Sequence, residues 1–254
     1  MAAITFEHVD LEYPLRGARI TLKEYIVRGL FRRNRTQPKP MIHALKDVSF
    51  HIGEGERVGI IGHNGAGKST LLRTIGGIYP IARGRFTVEG SICSLFEIAL
   101  GFERDATGWR NIHYRSYLQG DSPAQVAAKL QDIADFCELG EFLDLPLRCY
   151  SQGMITRLAF TIATSNQPEL LLIDEVFSTG DLSFRKKAEA RMREFMNRAK
   201  IVIMVGHDLD FHREFCERVL WLDHGRLRAD GPANEIIDEY VSTVERRPKP
   251  AQAA

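Results

Sequence analysis

Eight consecutive residues, Gly62-His63-Asn64-Gly65-Ala66-Gly67-Lys68-Ser69, restrict this chain more than any other segment. Their spacing is G-x-x-x-x-G-K-[ST]. The mostly apolar run Arg57 to Ile61 leads into them and the helix-compatible run Ser69 to Ile75 leads out, so the order is strand, loop, helix, half of an α/β unit. Glycines lack β-carbons, which lets the backbone curl until successive N–H groups converge on one anion. The following helix turns its positive amino end toward the same point. A phosphate fits such a cradle. Lys68 is then placed for the β- and γ-phosphates of a nucleotide and the Ser69 hydroxyl for Mg²⁺. Gly62, His63, Asn64, Gly65, Ala66, Gly67 and Thr70 complete the expected set, His63 through its backbone, because the pattern leaves that side chain free.

The rest of the chain supplies a sheet for this loop. Leu170 to Ile173 and Ile201 to Val205 are continuous apolar runs of strand length, separated by the charged helical segment Ser183 to Arg198, which is the pattern of parallel strands buried on both faces. The first run ends in Asp174-Glu175, at the carboxyl end of a buried strand, where open α/β sheets place their ligands. Asp174 is a candidate Mg²⁺ ligand, and Glu175 a candidate base or orienting group for an attacking water. Taken alone, the pair reads equally well as a cap for the next helix.

Ile4 to Leu11 and Val48 to Ile52 alternate as strands, and Val219 to Leu222 with Arg226 to Ala229 flanks a turn at Asp223-His224-Gly225. Residues from about Asn111 to Gln167 are mainly helical in pattern. Pro232 suits the first position of a helix over Asn234 to Glu245, and Arg246 to Ala254 reads as a frayed tail. Thr21 to Arg33 spaces Leu22, Ile26 and Leu30 on one helical face, with Arg28 and Arg32 opposite, a basic amphipathic helix.

With 254 residues, 44% of them apolar, the chain can bury a core without metal or disulfide support. A net charge of +1 argues against a broad nucleic-acid-binding face, which gains its affinity from many Lys and Arg contacts to phosphate. Cys93, Cys137, Cys149 and Cys216 are far apart and read as reduced thiols. The longest apolar runs are strand-length and the amino end has no secretory pattern, so a cytoplasmic chain is expected.

These features together resemble an ATP-binding-cassette (ABC) ATPase. Besides the phosphate loop and Asp174-Glu175, Tyr150-Ser151-Gln152-Gly153-Met154 opens a helix upstream of Asp174, and His207 follows the next core strand as the family's switch histidine does. The resemblance runs from Ile4 to about Glu245. It implies an α/β P-loop NTPase (RecA-like) fold over residues 1–246, with an antiparallel β subdomain, an insertion at 14–40, a helical subdomain at about 103–167 and a flexible tail at 247–254. It also implies a head-to-tail homodimer in which Ser151 and Gly153 of one copy close over the γ-phosphate held by Lys68 of the other. Asp181 is expected at the nucleotide, with Lys68, Glu175 and His207 as the catalytic set.

The chain departs from the usual family pattern in ways that narrow the branch. Of the family's Leu-Ser-Gly-Gly-Gln signature it keeps the serine and the second glycine. No glutamine occurs in Ser94 to Ile98, where Glu97 is the nearest polar residue, either facing Mg²⁺ or lying exposed. Tyr13 fits the aromatic that stacks on adenine, although the insertion Leu15 to Pro40 follows directly; ordinary packing at a strand end is the other reading.

Tyr-Ser-x-Gly-Met, Asp174 to Asp181, the segment Leu100 to Ile112 and the early insertion are similar to bacterial exporters of O-antigen, capsule or teichoic-acid chains. By that resemblance the partners are separate transmembrane permease subunits that handle a lipid-linked glycan, at the cytoplasmic face of the inner membrane. The basic helix then lies at the membrane surface or packs on the cassette itself. Leu95 to Phe102 and Arg104 are expected at the permease contact or in a solvent-facing loop. A cassette for another exported or imported substrate, or a soluble non-transport ABC ATPase, is the alternative.

Overall fold

The computed structural model describes residues 2–14, 41–96, 98, 101–174 and 182–246. Strands β1 (Ala3–Pro14), β2 (Met41–Ile52) and β4 (Arg83–Glu89) form an antiparallel sheet in the order β2-β1-β4. A larger sheet runs β5-β6-β7-β3-β8-β9, from β3 (Arg57–Ile61), β5 (Ile92–Ser94), β6 (Leu170–Asp174), β7 (Ile201–Val205), β8 (Arg218–Asp223) and β9 (Arg226–Pro232). Every neighbour pair in it is parallel except β8 with β9.

The two faces of the large sheet can be read residue by residue. Leu170, Leu172, Ile201 and Ile203 point to the side covered by the antiparallel sheet and by helix α1 (Lys68–Ile75), whose Leu71, Leu72 and Ile75 are buried there. The intervening Leu171, Ile173, Val202 and Met204 point to the opposite side, against Phe160, Phe184, Met192 and Ile237. Those side chains come from α4 (Gln152–Ala163), α5 (Leu182–Arg198) and α7 (Ala233–Arg246). Side chains alternate with period two along a strand, so a strand covered on both faces must be apolar throughout; this is why β6 and β7 contain no interior polar residue.

A separate core joins α2 (Gly108–Leu118), α3 (Pro123–Cys137) and α4 through Ile112, Ile133, Leu143, Leu158 and Ile162. These helices start on side-chain caps. Thr107 accepts from the Arg110 amide at 3.3 Å. Ser122 and Gln125 form a reciprocal capping box with Pro123 in the first turn. The entry to this subdomain is held by Asn111, which is fully buried. Its amide donates to the carbonyls of Glu103, Ala106 and Thr107 at 2.9, 3.2 and 2.9 Å, and its oxygen accepts from the Glu103 amide at 2.8 Å.

Several expectations shift. β1 and β2 run to Pro14 and from Met41, well beyond Leu11 and Val48, and pair through register shifts where His8 and Asp47 take positive φ. Pro232 closes β9, and the last helix begins at Ala233, whose amide donates to the Glu217 carbonyl at 3.0 Å. Leu95, Phe96 and Ile98, expected at a contact surface or an exposed loop, are buried; the Leu95 amide continues the β5–β6 ladder by donating to the Leu172 carbonyl at 2.8 Å. Arg104 is exposed. The basic helix Thr21 to Arg33 and the tail 247–254 lie outside the described residues. Burial pushes the Cys93 and Cys216 thiols up to about 12, while Cys149 is exposed.

The buried amide gives a prediction. Asn111→Ala removes the side-chain donor to the Glu103, Ala106 and Thr107 carbonyls and the acceptor of the Glu103 amide, and it is expected to lower stability by about 2–4 kcal/mol. Urea unfolding measures this, and a loss within error of zero would remove Asn111 as the anchor of the helical subdomain.

Candidate active site

The strand β3 ends at Ile61 and the chain turns at Gly62, with φ +148°. A β-carbon there would sit 2.2 Å from the Leu222 carbonyl oxygen, so this first glycine lets the loop lie directly against β8. The loop closes at Gly67, the N-cap of α1, with φ 108° and a β-carbon position 3.0 Å from the Ala44 carbonyl. Between them the Ala66 amide donates to the His63 carbonyl at 3.0 Å, and the Ala66 carbonyl accepts from the Gly225 amide at 2.9 Å.

Lys68 is only 7% exposed. Its ammonium donates to the Gly62 and His63 carbonyls at 2.8 and 3.2 Å, so the charge sits within the curl of the loop. Ser69 and Thr70 follow in the first turn of α1, where the amide groups have no carbonyl partner earlier in the helix. This is the geometry of an anion cradle with its counter-charge already in place.

A cleft of about 670 Å³ opens at the loop and gathers residues from distant parts of the chain, among them Tyr13, Lys68, Ser69, Asp174 and His207. The sheet accounts for this meeting. β6 and β7 end side by side, with Asp174 in register with Val205, so Asp174 and the turn carrying His207 emerge at the same edge as the loop after β3. The His207 turn leads into helix α6 (Leu209–Phe215), capped by Asp208, whose carboxylate accepts from the Phe211 amide at 3.0 Å. Tyr13 reaches the cleft from the end of β1 and is about a third exposed, its ring centroid 6.3 Å from that of Tyr79. Asn64, Gly65, Gly67 and Thr70 line the cleft, whereas Ala66 is buried beneath it.

Other expected residues fall elsewhere. Ser151 caps α4, accepting from the Met154 amide at 3.2 Å, and together with Gly153 it is exposed and does not line this cleft. Glu175, Asp181 and Glu97 lie outside the described residues. The His63 side chain, whose identity the loop pattern leaves unspecified, packs against Asp223 and His224. Lys46, Arg73 and Phe96 line the cleft without having been picked out from sequence. Arg73 had a usable signal, since it stands one helical turn after Ser69 and so shares its face. Lys46 had none, because its position depends on the pairing of its amide with the Gly225 carbonyl at 2.8 Å across the fold.

Residues 45–178 match the family described as ABC transporter. The chain belongs to the ABC transporter family. As a cassette of that family it binds ATP and hydrolyses it in a reaction coupled to transport. It is 43% identical over 232 residues to the O-antigen export system ATP-binding protein RfbE of Yersinia enterocolitica, covering 89% of this cassette and 97% of that protein. It is 37% identical to RfbB of Klebsiella pneumoniae, an O-antigen export system ATP-binding protein, over 95% of this cassette and 98% of that protein. The teichoic acids export ATP-binding protein TagH of Listeria innocua is 36% identical over 96% of this cassette and 72% of its own length. The expected likeness to polysaccharide exporters is met by these relatives. In fold, the cassette superposes on an ABC transporter ATP-binding subunit with a TM-score of 0.68 at 22% identity, over 94% of this chain and 93% of that one. No described helix is long and apolar enough to cross a membrane.

Removing the counter-charge tests the cradle. Lys68→Ala is expected to weaken binding of a fluorescent ATP analogue by ~10- to 100-fold, the range for losing a charge-assisted hydrogen bond. An unchanged titration curve would show that the phosphates bind elsewhere.

Proposed function

We propose that this cassette is the motor subunit of an exporter for a lipid-linked polysaccharide, acting as a homodimer at the cytoplasmic face of the inner membrane with separate permease subunits. The observation that carries the dimer is the split between its two sets of phosphate-directed groups. Lys68, Ser69, Asp174 and His207 share one cleft, while Ser151 and Gly153 sit exposed at the amino end of α4 outside it. A helix start with a serine hydroxyl is itself an anion site. Two copies arranged head to tail bring each α4 terminus over the phosphates in the other copy's cleft. ATP then joins the copies, and its hydrolysis releases them. The solved relative described as a dimeric post-hydrolysis cassette bound to ADP and phosphate has a similar fold, with a TM-score of 0.66 at 21% identity.

Within that dimer Tyr13 stacks on adenine. Lys68 and the loop amides hold the β- and γ-phosphates. The hydroxyl of Ser69 and the carboxylate of Asp174 are oxygen donors in one cleft, the donor type Mg²⁺ requires. Held by these two residues, Mg²⁺ would supply charge neutralisation to the β- and γ-phosphates. Glu175 directly follows Asp174 in sequence and is the proposed base for the attacking water, with His207 orienting the γ-phosphate. Glu97 is proposed at the metal and Asp181 at the nucleotide, both by the family resemblance alone.

The glycan reading is supported by the export proteins of O-antigen and teichoic acid to which the cassette is similar. The basic segment Thr21 to Arg33 is the proposed membrane or permease contact.

Glu175→Gln is expected to cut turnover by ~10²- to 10⁴-fold while ATP-bound dimers accumulate on size exclusion. Adding Ser151→Glu, which sets a negative charge against the γ-phosphate, is expected to return that variant to monomers. Normal turnover in the first variant would refute the base, and dimers persisting in the second would refute the composite site.

A further inference from the structure

Beside the phosphate loop, the side chains of His63, Asp223 and His224 converge, with one ligand atom from each lying within 4.8 Å of the others. The His63 ring is oriented by its own loop: Nδ1 stands 2.7 Å from the Asn64 carbonyl oxygen. A carbonyl only accepts, so Nδ1 carries the proton, and a neutral ring then bears a lone pair on Nε2. That nitrogen is buried and makes no hydrogen bond of acceptable geometry, although Asp223 Oδ1 is 3.0 Å away. A lone pair facing a carboxylate oxygen at that distance is repulsive unless a cation lies between them.

The third donor comes from the β8–β9 turn. His224 Nε2 lies 3.8 Å from the same Asp223 oxygen, and its ring centroid is 4.5 Å from that of His63. His224 holds φ at 50°, in the left-handed region that a non-glycine residue rarely adopts. Arg228 Nη1 stands 3.5 Å from the other carboxylate oxygen, Oδ2. The backbone keeps turn and loop together through the bond from the Gly225 amide to the Ala66 carbonyl.

We propose that His63, Asp223 and His224 form a binding site for a divalent transition ion of the Zn²⁺ type, which ties the phosphate loop to the β8–β9 turn. The spacing suits such an ion, because two ligands each about 2.0–2.1 Å from a tetrahedral Zn²⁺ stand roughly 3.4 Å apart. Two imidazoles and one carboxylate select a borderline ion over Mg²⁺, which requires oxygen donors. The contact from His63 Nδ1 to a backbone carbonyl is the outer partner that metal-bound histidines regularly have; it fixes the tautomer and aims Nε2 at the ion. The ion would restrain residue 63, whose carbonyl accepts from Lys68, so metal occupancy reaches the catalytic lysine through one residue. The site stands apart from the transport reading, since it depends on metal binding alone.

Calorimetric titration of the nucleotide-free full chain with Zn²⁺ tests it. The wild type is expected to bind one ion per chain at this site, undisturbed by excess Mg²⁺, and X-ray absorption is expected to show two imidazole ligands. His224→Gln and His63→Gln are each expected to weaken affinity by at least ~10-fold. Because His224 is exposed, its variant is expected to fold normally, and Zn²⁺ should raise the melting temperature of the wild type but not of His224→Gln. His43→Gln and Cys149→Ser, which alter other exposed ligand-type side chains, should leave the affinity unchanged. Absence of Zn²⁺ binding by the wild type would overturn the proposal. Full affinity in His224→Gln, or loss of it in Cys149→Ser, would do the same.

Discussion

A buried ammonium inside a curled backbone is the interaction on which this molecule turns. Lys68 is almost wholly removed from water, and burial of a charge is tolerable only where polar groups meet it. Here the loop supplies its own carbonyls, those of Gly62 and His63. Those carbonyls face inward only because Gly62 presses its α-carbon against the Leu222 carbonyl and the Ala66 carbonyl is tied to Gly225. The cradle therefore depends on β8 and its hairpin as much as on its own sequence. That dependence explains why the antiparallel β9 closes the sheet next to the loop, where the turn at residues 223–225 can brace it.

The parts of the fold with a local cause were readable in advance. β3, β6 and β7 are short, with no polar side chain inside their ends, because both faces are covered, and α1 follows a loop whose composition admits little else. The hairpin at Asp223-His224-Gly225 was equally open to view, with φ positive at both His224 and Gly225. β4 and β5 escaped notice for a physical reason. β4 is an edge strand whose exposed residues are charged, threonine or glycine, and β5 has three residues, too few for a period to register. The same holds within the site. The loop motif and the strand-end carboxylates identified Lys68, Ser69 and Asp174, whereas Lys46 reaches the cleft only after distant segments pair.

Leu95, Phe96 and Ile98 show how a motif-based expectation can misplace a surface. A segment between the sheet and the helical subdomain was expected to face a partner or solvent, yet Leu95 and Ile98 join the core beneath α4 and Phe96 the core on the opposite face of the sheet. What remains outside is the polar part of the connection, including the exposed Arg104. The connection is thus anchored at both ends, by the Leu95 amide on β6 and by Asn111 on residues 103–107.

Ser151 links this anchoring to the proposed dimer. Its hydroxyl oxygen already accepts from the Met154 amide, which fixes the start of α4 without using the hydroxyl proton. One side chain can therefore cap its own helix and still donate to a phosphate of a second copy. Alanine in its place would lose about 1 kcal/mol of capping as well as the donor, so a fall in turnover alone would not separate the two roles. Threonine retains the oxygen and its proton, and rescue by threonine but not by asparagine, which caps a helix equally well, would assign the loss to the hydroxyl donor rather than to the helix.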